Sequence, residues 1–361
     1  NNMGKILVTK TFLPPIAEYQ NILNEIWSTG WITNNGKYAQ ELEAKLKEYL
    51  GVKHLIFVNN GTIALQFAIQ ALDLSDEIIT TPFSFIATTS SIVWEKCKPV
   101  FADVDSETWC INPKEIEQKI TDKTTAILAT NVFGNNCDFK AIQKIADRHN
   151  LKVIYDSAHS FGVKINNQSV LNFGDLSTLS FHATKVFHTV EGGAIVTDND
   201  ELAEKLKLMR NFGLTGPTSF GPIGVNGKNS EFHAAMGVIN LKYYEANTTA
   251  RKIVWDLYFN SINDKFKKLA LPQNNFQYNY AYFPVVFQTE EQLLEVLAKL
   301  EALDIYPRRY FNPSLNTVHY VSNQPCPVSE QVAKTVLCLP LYHDLEHEIV
   351  HQIVSVINKV N

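Results

Sequence analysis

A chain of 361 residues with 45% hydrophobic and 19% charged side chains can build one large domain and a smaller one, and it has the composition of an ordinary globular protein. A net charge of −5 offers no basic face to a nucleic acid. No apolar run approaches the roughly 18 residues of a membrane span, and no basic stretch followed by an apolar one opens the chain. Asn1 and Asn2, ahead of Met3, read as an appended remnant. The five cysteines are scattered and form no CxxC pair. They read as reduced thiols of a cytoplasmic protein, with no disulfide frame and no metal site.

From residue 55 onward, strand-like and helix-like segments alternate. The predicted strands are Leu55–Val58, Glu77–Thr81, Pro99–Val104, Ala126–Asn131, Leu151–Tyr155, Leu176–Phe181 and Gly193–Thr197. Between them, Pro113–Ile120 opens on an Asn-Pro start signal, and Phe139–His149 carries apolar residues at helical spacing. Such alternation predicts a mostly parallel sheet flanked by helices. The last two strands are separated by a loop alone. Leu202–Met209 reads as a helix, and residues 211–228, with five glycines and two prolines, as a long turn-rich loop. Glu231–Tyr244 and about Thr249–Phe266 read as two helices, the second leading into a smaller unit. That unit holds a strand at Tyr282–Phe287, a helix at Glu290–Leu303 and a last helix near His347–Val360. The expected division is a large domain over 1–245 and a small one over 246–361.

Four segments carry chemistry. Phe57-Val58-Asn59-Asn60-Gly61-Thr62 is strand, turn and helix start, where exposed N–H groups and the helix dipole favour an anion. Many helices begin this way, so the segment alone is weak. Thr81-Pro82-Phe83-Ser84-Phe85 places an aromatic after a strand, where it could stack on a flat ring or fill the core. Val153-Ile154-Tyr155-Asp156-Ser157-Ala158-His159 ends an apolar strand in a carboxylate, at the edge where ligands meet open α/β sheets. Such an Asp is often a helix cap; it is also the partner that a pyridinium nitrogen requires. Ser180-Phe181-His182-Ala183-Thr184-Lys185, followed by Glu191-Gly192-Gly193, puts a lysine between two apolar strands. A lone lysine there is usually a surface residue; a desolvated one with a depressed pKa is a carbonyl-condensing amine.

Other patterns fail. His343-Asp344-Leu345-Glu346-His347 has the spacing of a zinc motif, but Asp344 reads more simply as the cap of the last helix. Gly30 to Lys37 has five residues between its glycines where a P-loop has four, and no Ser or Thr after the lysine. No G-x-G-x-x-G follows a strand.

In this order, the four segments resemble the DegT/DnrJ/EryC1/StrS family of sugar aminotransferases. The resemblance runs over nearly the whole chain, including Thr29-Gly30-Trp31-Ile32-Thr33 and Asn226-Gly227-Lys228-Asn229-Ser230. It implies an α/β protein of the aspartate-aminotransferase fold (fold type I), with a large, mixed, mostly parallel sheet domain and a smaller C-terminal α/β domain. It implies pyridoxal 5'-phosphate as cofactor, with a pyridoxamine phosphate form. Residue by residue, it makes Lys185 the Schiff-base lysine and proton carrier, and Asp156 the pyridinium partner. Ala158 and Phe85 would cover the two ring faces, and His159 would lie near the phenolic oxygen. Gly61, Thr62 and Ser180 would bind the phosphate, as would Asn226 reaching in from a neighbouring subunit, which makes the enzyme a homodimer with shared active sites. Lys228 stands where many relatives carry Arg, as it does in several nucleotide-sugar members. Trp31 and Tyr310 are candidate sugar or base contacts.

The implied substrates are L-glutamate and a dTDP-linked keto sugar, for an amino sugar of a surface glycan such as O-antigen. The segments around Phe83, Thr88 and Phe181–Phe187 are most similar to members that aminate C4″ of dTDP-4-keto-6-deoxyglucose. Two alternatives stay open: amination of a 3-keto sugar, and a pyridoxal-phosphate sugar dehydratase. Members that remove the sugar 3-hydroxyl have His in place of the lysine, so Lys185 counts against the second.

Overall fold

The structure, a computed structural model, describes residues 4–360; Asn1, Asn2 and Met3 lie outside the described residues. Its centre is a seven-stranded sheet in the spatial order His54–Val58, Gly193–Thr197, Leu176–Ser180, Lys152–Asp156, Thr124–Thr130, Glu77–Thr80 and Lys98–Phe101. Gly193–Thr197 is antiparallel to both neighbours, and the remaining pairings are parallel. All seven predicted strands are present, each within a few residues of its expected ends.

Strand side chains alternate between the two faces. Ile56, Val58, Ile78, Ala126, Leu128, Ile154 and Ile195 pack in one cluster with the helices Gly61–Ala71, Ile86–Trp94 and Asp200–Met209. On the other face, Leu55, Phe57, Leu179, Ala194 and Val196 meet Lys37–Leu50 and the start of a long helix. Ile79, Ile127, Ala129, Val153 and Tyr155 meet Phe139–His149 and the C-terminal elements. Both faces are therefore covered, which explains why these strands are nearly continuous apolar runs.

The C-terminal part adds an antiparallel sheet of Lys267–Lys268, Phe283–Val286 and Val336–Leu339, in the register Phe283↔Leu339. Glu290–Glu301 and His347–Asn358 bury Leu293, Val296, Leu300, Val350 and Ile353 against it.

Three expectations need correction. The two helices read over 231–266 are one helix of 31 residues, Glu231–Ser261. Asn247-Thr248-Thr249 does not break it, because the Thr248 and Thr249 hydroxyls donate to the carbonyls of Tyr244 and Glu245, each at 2.9 Å. Their polar atoms fold back onto the helix. Asp344 does not cap the last helix. Glu346 occupies that position, and Asp344 pairs with Lys10 at 2.5 Å. His343 lies before the helix and His347 begins it, so the two are not on one helical face. The loop over 211–228 also holds a small hairpin, Leu214–Gly216 with Ser219–Phe220. Before residue 54, the structure adds two helices, Ile16–Thr29 and Lys37–Leu50. The second is fixed at its start by the buried Glu231 carboxylate, which accepts the N–H groups of Tyr38 at 2.7 Å and Ala39 at 2.9 Å.

Candidate active site

The parallel strands all point their carboxyl ends at one edge of the sheet, and a cavity of about 380 Å3 opens there. Asp156 is the last residue of its strand, Ser180 the last of the next, and Thr130 the last of the one on the other side. His54–Val58 leads through Asn59 and Asn60 into the Gly61–Ala71 helix. Gly61, Thr62, Phe85, Asp156, Ala158, His159, Ser180 and Lys185 all line this cavity. Asn226 and Trp31 do not. Asn226 pairs with Asn211, and Trp31 lines a separate pocket with Glu231.

The phosphate-binding candidate is a helix start. Asn60 caps it by accepting the Ile63 N–H at 2.8 Å, and its carbonyl takes the Ala64 N–H. The N–H groups of Gly61 and Thr62 have no intrahelical partner by geometry. Gly61 is required by contact: a Cβ there would lie 2.9 Å from the Ser180 Cβ. Gly193 is required in the same way, since its Cβ would lie 2.5 Å from the Asn60 carbonyl carbon. The turn, the Ser180 hydroxyl and the antiparallel strand are thereby pressed into one cradle.

At the other end, Asp156 is buried and accepts one hydrogen bond on each oxygen. Thr88 Oγ1 donates at 2.7 Å, and the Ala158 N–H at 3.2 Å. Burial pushes its pKa up, while Thr88, the Ala158 N–H and the charge of Lys185 pull it down. Lys185 sits in the segment between Ser180 and Gly193, half-buried, with its Nζ 3.4 Å from the Tyr282 hydroxyl. Burial pulls its pKa below the ordinary lysine value, and Asp156 and Tyr310 oppose that. The amine is therefore easier to deprotonate than a surface lysine, as nucleophilic and base chemistry requires.

His159 is buried and stacked on Phe311, with ring centroids 5.7 Å apart and planes 3° from parallel. Its Nδ1 accepts the Phe133 N–H at 3.0 Å, which places the ring proton on Nε2. Burial and the nearby Lys185 hold its pKa well below the usual value. Phe85 is 56% exposed and faces the cavity, whereas Phe83 is 0% exposed and packs on Phe133 and Phe311. Of the two aromatics in that motif, Phe85 is thus the one available to a ligand.

Several wall residues had not been singled out from the sequence: Thr9, Thr130, Tyr282, Arg308 and Phe311. Tyr282, Arg308 and Phe311 come from the C-terminal part, far along the chain, and no spacing rule links them to Lys185. Tyr310 does reach the cavity, with the Arg308 guanidinium 5.3 Å from its ring centre.

Residues 16–358 match the DegT/DnrJ/EryC1/StrS aminotransferase family. The chain belongs to that family. A dTDP-4-amino-4,6-dideoxy-D-glucose transaminase of Shigella dysenteriae is 42% identical to this aminotransferase, over 98% of this chain and 99% of its own. Among solved structures, DesI in the presence of its TDP-sugar product is 28% identical, with a TM-score of 0.92 over 98% of this chain and 92% of DesI. NtdA of Bacillus subtilis with bound cofactor PMP is 27% identical, with a TM-score of 0.88 over 96% of this chain and 81% of NtdA. The expected fold, a mixed and mostly parallel sheet with a smaller C-terminal α/β part, is that of these aminotransferases.

Proposed function

We propose that this aminotransferase uses pyridoxal phosphate to move the amino group of L-glutamate to C4″ of dTDP-4-keto-6-deoxyglucose. The observation that carries the reading is the convergence of three groups in one cavity: a buried carboxylate at a strand end, a pKa-depressed lysine, and a helix start with free N–H groups. A flat phosphorylated pyridine ring fits that arrangement. The Gly61 cradle, which a Cβ would fill, takes the phosphate, and Asp156 takes the ring nitrogen. When bound, the cofactor supplies the carbonyl that condenses with amines and the ring that accepts electrons.

The chain's own residues do the rest. Gly61, Thr62 and Ser180 would hold the phosphate, Phe85 and Ala158 would cover the two ring faces, and His159 would lie on the side of the phenolic oxygen. Asp156 balances the charge of the ring nitrogen. Lys185, the catalytic residue, would supply the amine that carries a proton to and from the substrate carbon. Arg308, a cation at the cavity wall, offers a planar fork to a substrate carboxylate or phosphate.

The same reading makes the protein a homodimer in which Asn226 enters the partner's site to reach the phosphate. It places the enzyme in the cytoplasm and its product in a surface glycan. It divides the chain into domains 1–245 and 246–361. Among the described residues, no helix is long and apolar enough to cross a membrane.

The test is product identification. Purified protein is incubated with glutamate and either the 4-keto or the 3-keto sugar nucleotide at equal concentration, with NMR of the product. A positioning error of about 1 Å costs on the order of 100-fold in rate, so one ketone should dominate. The reading expects the 4-keto sugar, with the new amine equatorial. A clear preference for the 3-keto compound overturns the C4″ assignment and leaves the aminotransferase intact.

A further inference from the structure

Asp156 receives its Thr88 hydrogen bond at the end of a row of hydroxyls. Thr88 Oγ1 is 2.7 Å from Asp156 Oδ2, Ser84 Oγ is 2.7 Å from Thr88 Oγ1, and Thr130 Oγ1 is 3.0 Å from Ser84 Oγ. All four residues are buried, at 6% exposure or less. The three hydroxyls come from three different places in the chain. Thr130 ends a strand, Ser84 lies in the turn after the Glu77–Thr80 strand, and Thr88 lies in the first turn of Ile86–Trp94.

The direction of every bond follows from the charge at one end. A hydroxyl has a single proton, and an ionised carboxylate only accepts. The Thr88 proton therefore goes to Asp156. Thr88 must then accept from Ser84, and Ser84 from Thr130. Three dipoles are aligned in series, all pointing at the carboxylate. Inside a protein, such a series polarises each member by its neighbour.

We propose that Ser84 and Thr130 are positioning residues that hold Asp156 ionised through Thr88, although neither touches it. The purpose of the device rests on the pyridoxal-phosphate reading, because a protonated ring nitrogen needs a charged partner; its chemistry does not. The row opposes the burial that drives Asp156 toward its neutral form. The other groups acting on this carboxylate are the Ala158 N–H and the Lys185 ammonium. His159, three residues on, is held neutral by its own burial. A protonated Asp156 would lose the reason for this order and could itself donate to Thr88.

The experiment reads Asp156 directly in cofactor-free protein, by 13C NMR of labelled aspartate carboxyls, with Asp156→Asn identifying the resonance. Thr88→Val should raise the titration midpoint by roughly one to two pH units, the size of a lost charge-assisted bond. Ser84→Ala should raise it by about half a unit, and Thr130→Val by about 0.15 unit, at the upper end of the roughly 10–30% cooperativity per bond. Thr130→Ser, which keeps the hydroxyl, should leave it unchanged. Thr130→Val preserves shape and lies two hydroxyls from the carboxylate, so it carries the test even if Ser84→Ala folds poorly. Midpoints for Ser84→Ala and Thr130→Val both within about 0.05 unit of wild type would overturn the proposal. Equilibrium dialysis with pyridoxal phosphate separates the two claims. Shifted midpoints with no cofactor binding in the wild type leave the hydroxyl row standing and remove the cofactor reading.

Discussion

Lys185 is held in a place that disfavours its charge, and that has a consequence for stability. Its folded pKa is depressed below the ordinary 10.5 by burial. The unfolded chain thus binds more protons between the depressed value and 10.5, and stability rises with pH across that window. Below the window the cost of the buried ammonium is fully present. Lys185→Met should therefore stabilise the cofactor-free protein at pH 7 by on the order of 1 kcal/mol, with the advantage fading as the pH rises through the window and gone above 10.5. Urea unfolding of both proteins at several pH values measures it, and an equal or lower stability of the variant at pH 7 would count against the assignment. Lys185→Ala should also lack the visible absorbance of bound cofactor linked to protein and lose multiple turnover. His159 has the same sign: its pKa lies well below 6.5, so the protein should lose stability as the pH falls below 6.5, and His159→Gln should lose less. Asp156 was legible in the sequence because it ends an apolar strand in a carboxylate, and Lys185 because it puts a charge in the segment between two apolar strands. Thr130 and Ser84 were not, because a hydroxyl in a strand or turn has many ordinary uses and their meaning is a distance across three elements.

At the scale of elements, the strands were readable because alternation buries both faces and leaves unbroken apolar runs such as Ala126–Thr130. The continuity of the 231–261 helix was not, since Thr248 and Thr249 have poor helix preference until their hydroxyls find the carbonyls one turn back. The N-terminal helices also escaped, as Lys37–Leu50 is capped by a side chain almost 200 positions away, Glu231. Replacing that carboxylate by Glu231→Leu leaves two N–H groups of the helix start unpaired. The expected loss is about 1–3 kcal/mol per buried orphan donor, read as a lowered midpoint in denaturant. The phosphate cradle makes a second prediction. Gly61→Ala puts a methyl 2.9 Å from the Ser180 Cβ, and overpacking of this kind costs about 1–3 kcal/mol. The strain falls on the cofactor contact, so dialysis should show weakened pyridoxal phosphate binding. Affinity equal to wild type would mean that the cradle is wider than its contacts indicate.

At the scale of the molecule, large apolar side chains are exposed in the 211–228 loop and on the nearby Ile86–Trp94 helix. Phe220 is 71% exposed, Ile223 89% and Trp94 77%. Ile223 and Trp94 border a groove that runs from Thr62 of the phosphate turn past Phe67. Apolar side chains gathered on one face mark an interaction surface, and a second copy is the partner that the proposed role of Asn226 requires. That geometry can be tested without a crystal. If each site draws Lys185 from one chain and Asn226 from the other, a mixed dimer of Lys185→Ala and Asn226→Ala chains has one doubly damaged site and one intact site. Random mixing of equal amounts makes half the dimers mixed, so about a quarter of wild-type activity should appear. The variants are refolded or co-expressed together to allow exchange, and the recovered rate is compared with that of each variant alone. If both residues serve the same chain, no intact site can form, and the mixture can do no better than the average of the two parents. Sedimentation of the wild type checks the premise, and an active monomer would remove it.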